Sequence, residues 1–360
     1  MRQSSVITGL VPLALSLGFA TVAPDLPSIT LRKASLVQFP GPTDCNSPGH
    51  WDGGTFYLWN SAPIPLRSSG RDLFHLGVPK ESSYHNTVSG HRWIEATYKE
   101  ENGPLYGWYH NEPRNVCASS SSLTAPRIGA VLSNDNGATW RDLGFVLEAP
   151  RDSLFCQTKN HYFAGGNGDF SVILDTRREY FYFFISTYHK DPSEQGVAVA
   201  RMRFADRNDP VGKVWKWRQG NWEAPGVGGQ VSPIFSVARD WNRLDADALW
   251  GPSIHWNTYL NTYVMLLNRA IDKDWKQEGI YITYNSDLSR PGDWTAPKKI
   301  LDREEIVAVP KMGPGWYPQV IGLDKDERET DKLAGRVARL FVHGKSIWEV
   351  VFRKPGEEPE

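Results

Sequence analysis

The chain has 360 residues, and its 40 Lys+Arg against 41 Asp+Glu leave no basic excess of the kind a nucleic-acid partner requires. Three cysteines, Cys45, Cys117 and Cys156, are too few and odd in number for a disulfide framework; one bridge is possible, and the sequence does not choose the pair. Aromatic content is heavy, with 15 Trp, 14 Tyr and 15 Phe, which suits strands and offers flat apolar faces with a polar edge.

The N-terminus carries Arg2, an apolar run from about Val6 to Ala20 and then Thr21-Val22-Ala23, the layout of a secretory signal peptide over residues 1–23. The run is too short to span a bilayer comfortably, and no second one follows. The expected product is a secreted or periplasmic monomer with no membrane attachment after leader removal.

From residue 24 to 360 helical periodicity is nearly absent. Short apolar or aromatic runs alternate with Gly, Pro, Asn and Asp clusters, the all-β pattern. Five hairpin-like units follow in order. The first pairs Ser47–Trp51 with Thr55–Ser61 across Asp52-Gly53-Gly54. The second pairs Arg92–Tyr98 with Leu105–Glu112. The third pairs Asp169–Leu174 with Tyr180–Tyr188, the fourth Pro252–Trp256 with Asn261–Arg269, and the fifth Trp316–Gly322 with Arg339–Lys345. Most are followed by a further strand-like piece: Ile128–Leu132, Gly196–Phe204, Gly279–Tyr284 and Ile347–Phe352. Recurrence of this kind predicts a single-domain five-bladed β-propeller, four strands to a blade.

In such a ring the start of each first strand and the end of each second strand open on the same face. That rule gathers Asp44, Asn46, His50, Asn60, Ser61, His110, Glu112, Asp169, Tyr188, His189, Asn268, Arg269, His343 and Lys345 around one mouth. Carboxylates converging with imidazoles, amides and aromatic rings supply an acid, a base or nucleophile and hydroxyl-binding groups. Asp44, Asp169 and Glu112 are the expected catalytic residues. His50, Glu95, His110, Tyr188, Trp250, His255, Asn268, Arg269, Tyr317 and Gln319 are the expected substrate contacts. Glu95, flanked by Ile94 and Ala96, also reads as a structural carboxylate paired with an arginine. No compact His/Cys/Asp/Glu spacing points to zinc, and neither a phosphate loop nor a nucleophile elbow is present. No metal and no cofactor are expected.

Ser133-Asn134-Asp135-Asn136-Gly137-Ala138-Thr139-Trp140 matches the Asp box of sialidases and related propellers, Ser-x-Asp-x-Gly-x-Thr-Trp. It is a turn device remote from the active site in those proteins. From about residue 40 to 352 the chain resembles the five-bladed propeller glycoside hydrolases, the group of arabinanases, β-xylosidases and invertase-like fructosidases. The resemblance implies an Asp on the first blade and another on the third, which Asp44 and Asp169 match by position, and a Glu acid nearby. It departs at Trp250-Gly251-Pro252-Ser253-Ile254-His255, where no Glu stands; Glu112 on the second blade takes the acid's place. The resemblance implies hydrolysis of an oligosaccharide or polysaccharide of plant or microbial origin. Two alternatives remain open: a sialidase-like six-bladed enzyme using Arg127, Arg269 and Arg339, and a non-catalytic carbohydrate-binding propeller.

Overall fold

The computed structural model describes residues 26–118, 120 and 122–358; the expected leader lies outside them. Five antiparallel-based sheets stand as the blades of a propeller. Their innermost strands are Gly49–Asp52, His91–Lys99, Asn167–Leu174, Ala248–Asn257 and Gln319–Gly322, and each touches the next in chain order. The second strands, Thr55–Asn60, Leu105–Glu112, Tyr180–Thr187, Thr262–Ala270 and Val337–Val342, return antiparallel. All five hairpins read from the sequence are present.

The aromatic run of the third blade shows why these strands are continuous in hydrophobicity and do not alternate. Phe181, Phe183 and Ile185 pack toward the second blade, with Trp108, Ile128 and Ala130. Tyr182 and Phe184 point the other way, toward Ile254, Tyr263 and Met265 of the fourth blade. A blade stacked on both faces buries both sets of alternate side chains. Each fully buried large apolar side chain contributes about 1.5–3 kcal/mol.

Nothing in the sequence marks how the ring closes. Ser28–Gln38 forms the outermost strand of the fifth blade, antiparallel to Lys345–Arg353, so the two ends of the described chain share one sheet. Its residues are mostly exposed or half-buried, as suits an edge strand.

The Asp box folds as expected. Ser133 Oγ receives the Gly137 N–H at 2.8 Å, Asp135 receives the N–H and hydroxyl of Thr139 at 2.9 and 2.8 Å, and Trp140 is fully buried beneath against Trp59. Gly137 has φ +77°, and a Cβ there would lie 2.2 Å from Trp59. The box sits at the far end of its third strand, on the face opposite the start of the inner strands. Arg67 donates to the carbonyls of Asp135 and Asn136, tying it to the first blade.

Candidate active site

Three inner strands slip register near their upstream ends, and in two of them, those of the second and third blades, the extra residue is an acid. In the second blade the register slips between Ile94 and Ala96, and in the third between Gly168 and Phe170. The extra residues are Glu95 and Asp169, each turned out of the ladder by its bulge. Asp169 adopts φ +41°, a strained conformation for a residue with a side chain. Gly168 precedes it because a Cβ there would stand 2.7 Å from Cε1 of His110. The Gly-Asn-Gly-Asp run thus brings one carboxylate and one imidazole into contact.

The buried tier of the site is a hydrogen-bonded network. Glu95 faces His110 Nδ1 through Oε1 at 3.1 Å and accepts the Phe170 N–H at 2.8 Å through Oε2. Asp169 accepts Tyr188 Oη–H at 2.5 Å and Tyr317 Oη–H at 3.1 Å, one on each oxygen. Burial raises the Asp169 carboxyl well above the ordinary range; the His110 charge opposes this and the Glu95 charge adds to it. For His110, burial disfavours the charged ring, but Glu112 and Glu95 on either side outweigh it, and the ring's pKa is raised. The Asp169 N–H also stands 3.2 Å from Nδ1. A protonated Nδ1 cannot serve both partners, so in the imidazolium it donates to Glu95. On the other side Glu112 Oε1 lies 3.2 Å from Nε2, off the line that a hydrogen bond follows. We read that contact as charge attraction, which leaves the Nε2–H without a hydrogen-bond acceptor among the described residues.

The outer tier reaches solvent. Asp44 is exposed at the mouth, and the Glu112 side chain is 30% exposed, whereas Asp169 is 2% and Glu95 0% exposed. Despite its access to water, the Asp44 carboxyl sits in a recess. Partial loss of hydration, then the Glu112 charge, push its pKa up to about 6, against the pull of His110.

Cys45, which the sequence did not single out, completes the buried tier. Its Sγ and ligand atoms of Glu95, His110 and Asp169 all lie within 4.8 Å of one another. These four could hold a metal ion. Phe163, Trp241 and Trp275 pack around Tyr188, tilted or edge-on, with ring centroids 4.6, 5.5 and 5.4 Å away, and form an aromatic wall behind Asp169. The exposed Tyr162 and half-buried Trp316, 6.0 Å apart, continue that wall to the surface; Tyr162 is within electrostatic reach of Asp44. A bridge between Cys117 and Cys156 braces the loop that carries Phe163.

Several expected contacts are placed elsewhere. Trp250 is fully buried, 5.6 Å from the Tyr317 ring, and supports that tyrosine. Asn268 donates to the carbonyls of Trp250 and Gly251, and Gln319 clamps the N–H and C=O of Ser47 at 2.8 Å each. Both hold the backbone around the site and have no groups free for a ligand. Arg269 leaves the edge of its strand to pair bidentately with Asp247 at 2.8 and 2.9 Å. The fourth blade's inner strand starts at Ala248, earlier than expected, so His255 lies deep along it against Phe352. His50 stacks on Tyr57 and Trp59 and faces Asn136, because residues 44–48 have already crossed the axis before its strand begins. Glu95 pairs with a histidine and not with an arginine. Arg127 and Arg339 bond to Glu148 and Ser346 on separate blades, so the three arginines of the sialidase-like reading do not converge, and five blades stand where that reading needs six.

No protein-family model matches this sequence, and no curated protein matches it. Among solved structures the chain is similar to a candidate exo-β-1,3-galactanase from Bifidobacterium bifidum s17, with 12% identity, 86% of this chain and 90% of that one covered, and a TM-score of 0.51. It is also similar to a β-1,3-galactosidase of glycoside hydrolase family 43, at 13% identity and a TM-score of 0.50, over 89% of this chain and 60% of that one. A third, an exo-β-1,3-galactanase from Phanerochaete chrysosporium bound to β-1,3-galactotriose, gives 12% identity and a TM-score of 0.49 over 88% of this chain. This chain spans about 64% of that protein's length. The likeness is one of fold, the five-bladed propeller.

Proposed function

We propose that the protein is an exported glycoside hydrolase acting on a plant or microbial glycan at the Asp44 end of the axis. What supports this reading is that Asp44 and Glu112, both reaching solvent, lie within electrostatic reach of one another and of His110, with Glu95 and Asp169 buried beneath. Asp44 keeps its proton up to about pH 6 and serves as the acid that protonates the leaving oxygen. Glu112 receives a proton from the attacking water, and the adjacent imidazolium stabilises the sugar oxygens. Asp169, enclosed by two tyrosines, does not reach a substrate; it sets the field around His110. Tyr162 and Trp316 offer rings on which a sugar stacks. The Cys117–Cys156 bridge suits an oxidising compartment, which supports export.

A screen of arabinans, xylans, galactans, fructans and sialosides is the test, read as reducing ends released. Asp44→Asn and Glu112→Gln, each folded, should lower turnover on the active substrate by roughly 10²–10⁴-fold. Full activity in either variant removes that residue from the chemistry. The second reading, a carbohydrate-binding propeller, is favoured by Gly251 and Pro252 at the fourth blade's irregularity, where the second and third blades have carboxylates. Saturable binding of a glycan without hydrolysis would establish it.

A further inference from the structure

The downstream ends of the inner strands enclose a second space of about 690 Å³, across the ring from Asp44. Trp51, Tyr98, Trp108 and Trp256 line it, together with Arg178 and Arg328. Three buried polar atoms on lining side chains have no hydrogen-bond partner among the described residues: His50 Nδ1, Thr97 Oγ1 and Trp108 Nε1. Asn136 Oδ1 faces Nε2 of His50 at 3.4 Å, so the ring proton belongs on Nε2 and Nδ1 presents a lone pair.

The cations of this cavity divide into two kinds. Lys99 is engaged by Asp52 and the Gly103 carbonyl, and Lys332 by Asp331 and Ser171. Arg178 and Arg328 have no carboxylate within 4.0 Å among the described residues; one nitrogen of each reaches Tyr98 Oη and the Trp51 carbonyl respectively. Of the acids, Glu100 is taken by Arg207 and Asp175 by the N–H groups of Glu179 and Tyr180, which leaves Glu101 exposed at the rim. Both arginines also adopt left-handed backbone, φ +58° and +54°, at turn positions where Gly or Asn costs less. Strain retained twice on one cavity favours a role for the side chains beyond the turn.

We propose that this cavity binds a sugar ring bearing a carboxylate, a uronic-acid unit. The guanidinium groups of Arg178 and Arg328 supply the positive charge that meets the carboxylate, and the aromatic side chains face the ring. This site is independent of the proposed hydrolytic reading. A trisaccharide of galacturonic acid and the uncharged galactose trisaccharide, titrated calorimetrically into the full chain, test it. The acidic trisaccharide should bind, more weakly as salt rises. Arg178→Asn and Arg328→Asn, which suit the same backbone, should each weaken it by about tenfold or more while the melting temperature holds. Asp44→Asn should bind as the unchanged protein does. Equal affinity for both trisaccharides, no binding of the acidic one, or retention in the double arginine variant overturns the proposal. So does binding that disappears with Asp44→Asn and survives loss of the arginines.

Discussion

The two ends of the inner strands are made from the same backbone and differ in how each leaves the ladder. At the upstream end the second and third blades bulge, and the extra residue in each is a carboxylate driven inward, Glu95 and Asp169. At the downstream end the strands run into tight turns that display side chains outward, among them Arg178 and Arg328. Both bulges bury a carboxylate, and at Asp169 burial raises the pKa; the turns leave their charged side chains accessible. One propeller thereby holds titrating acids at one mouth and permanent cations at the other.

The largest expected effect falls on the buried carboxylate. Asp169→Asn should reduce turnover by orders of magnitude while leaving trisaccharide binding at the arginine end unchanged, checked by steady-state kinetics beside calorimetry. Unchanged turnover in this variant would show that the buried tier is only scaffold. Reduction of the Cys117–Cys156 bridge, which closes a separation of 39 residues, should cost about 2–4 kcal/mol, read in denaturant melts. Activity should suffer with it, since the braced loop carries Phe163. Gly137→Ala, which places a methyl group 2.2 Å from Trp59 at positive φ, should cost roughly 1–3 kcal/mol. That substitution lies on the arginine side, so activity per folded molecule should hold.

The smallest effects are those of pH. Activity should fall as pH rises through about 6, where Asp44 loses its proton, and an alkaline limb far above that value would take the acid role from it. Stability carries a separate signal. Well below the ordinary carboxylate range, Asp169 is protonated whether the chain is folded or unfolded. As pH rises from there toward its raised native value, the unfolded chain gives up the proton and the folded one resists. Stability therefore declines over that window, and Asp169→Asn should flatten the slope in melts taken at several pH values.

Much of this was legible in the sequence because its signals are local. The aromatic run from Tyr180 to Tyr188 reads as the return strand of a hairpin, and Asp169 stands at the mouth of the strand before it. Asp44, His110, Glu112 and Asp169 converge as the strand-direction rule predicts. His50 and His255 escaped it because the rule needs the starting residue of each strand, and irregularities near residues 44–48 and 250–253 shift it. Cys45 and Tyr162 gave no local signal; their meaning comes from neighbours far away along the chain. The closing strand was missed for a similar reason. Ser28–Gln38 is polar and half-exposed, and only its partner at the other end of the chain makes it a strand.

That shared fifth sheet turns a linear polymer into a loop with no natural seam. Ser28 pairs with Arg353, so closing the ring takes a contact that spans nearly the whole described chain, and a nascent molecule cannot complete its circle until Lys345–Arg353 has emerged. By the same logic the ends are interchangeable with any exposed turn. Joining Ser28 to Arg353 with a short linker and opening the chain between Gln219 and Gly220, in the outer hairpin of the third blade, should give a circularly permuted propeller in which both mouths survive.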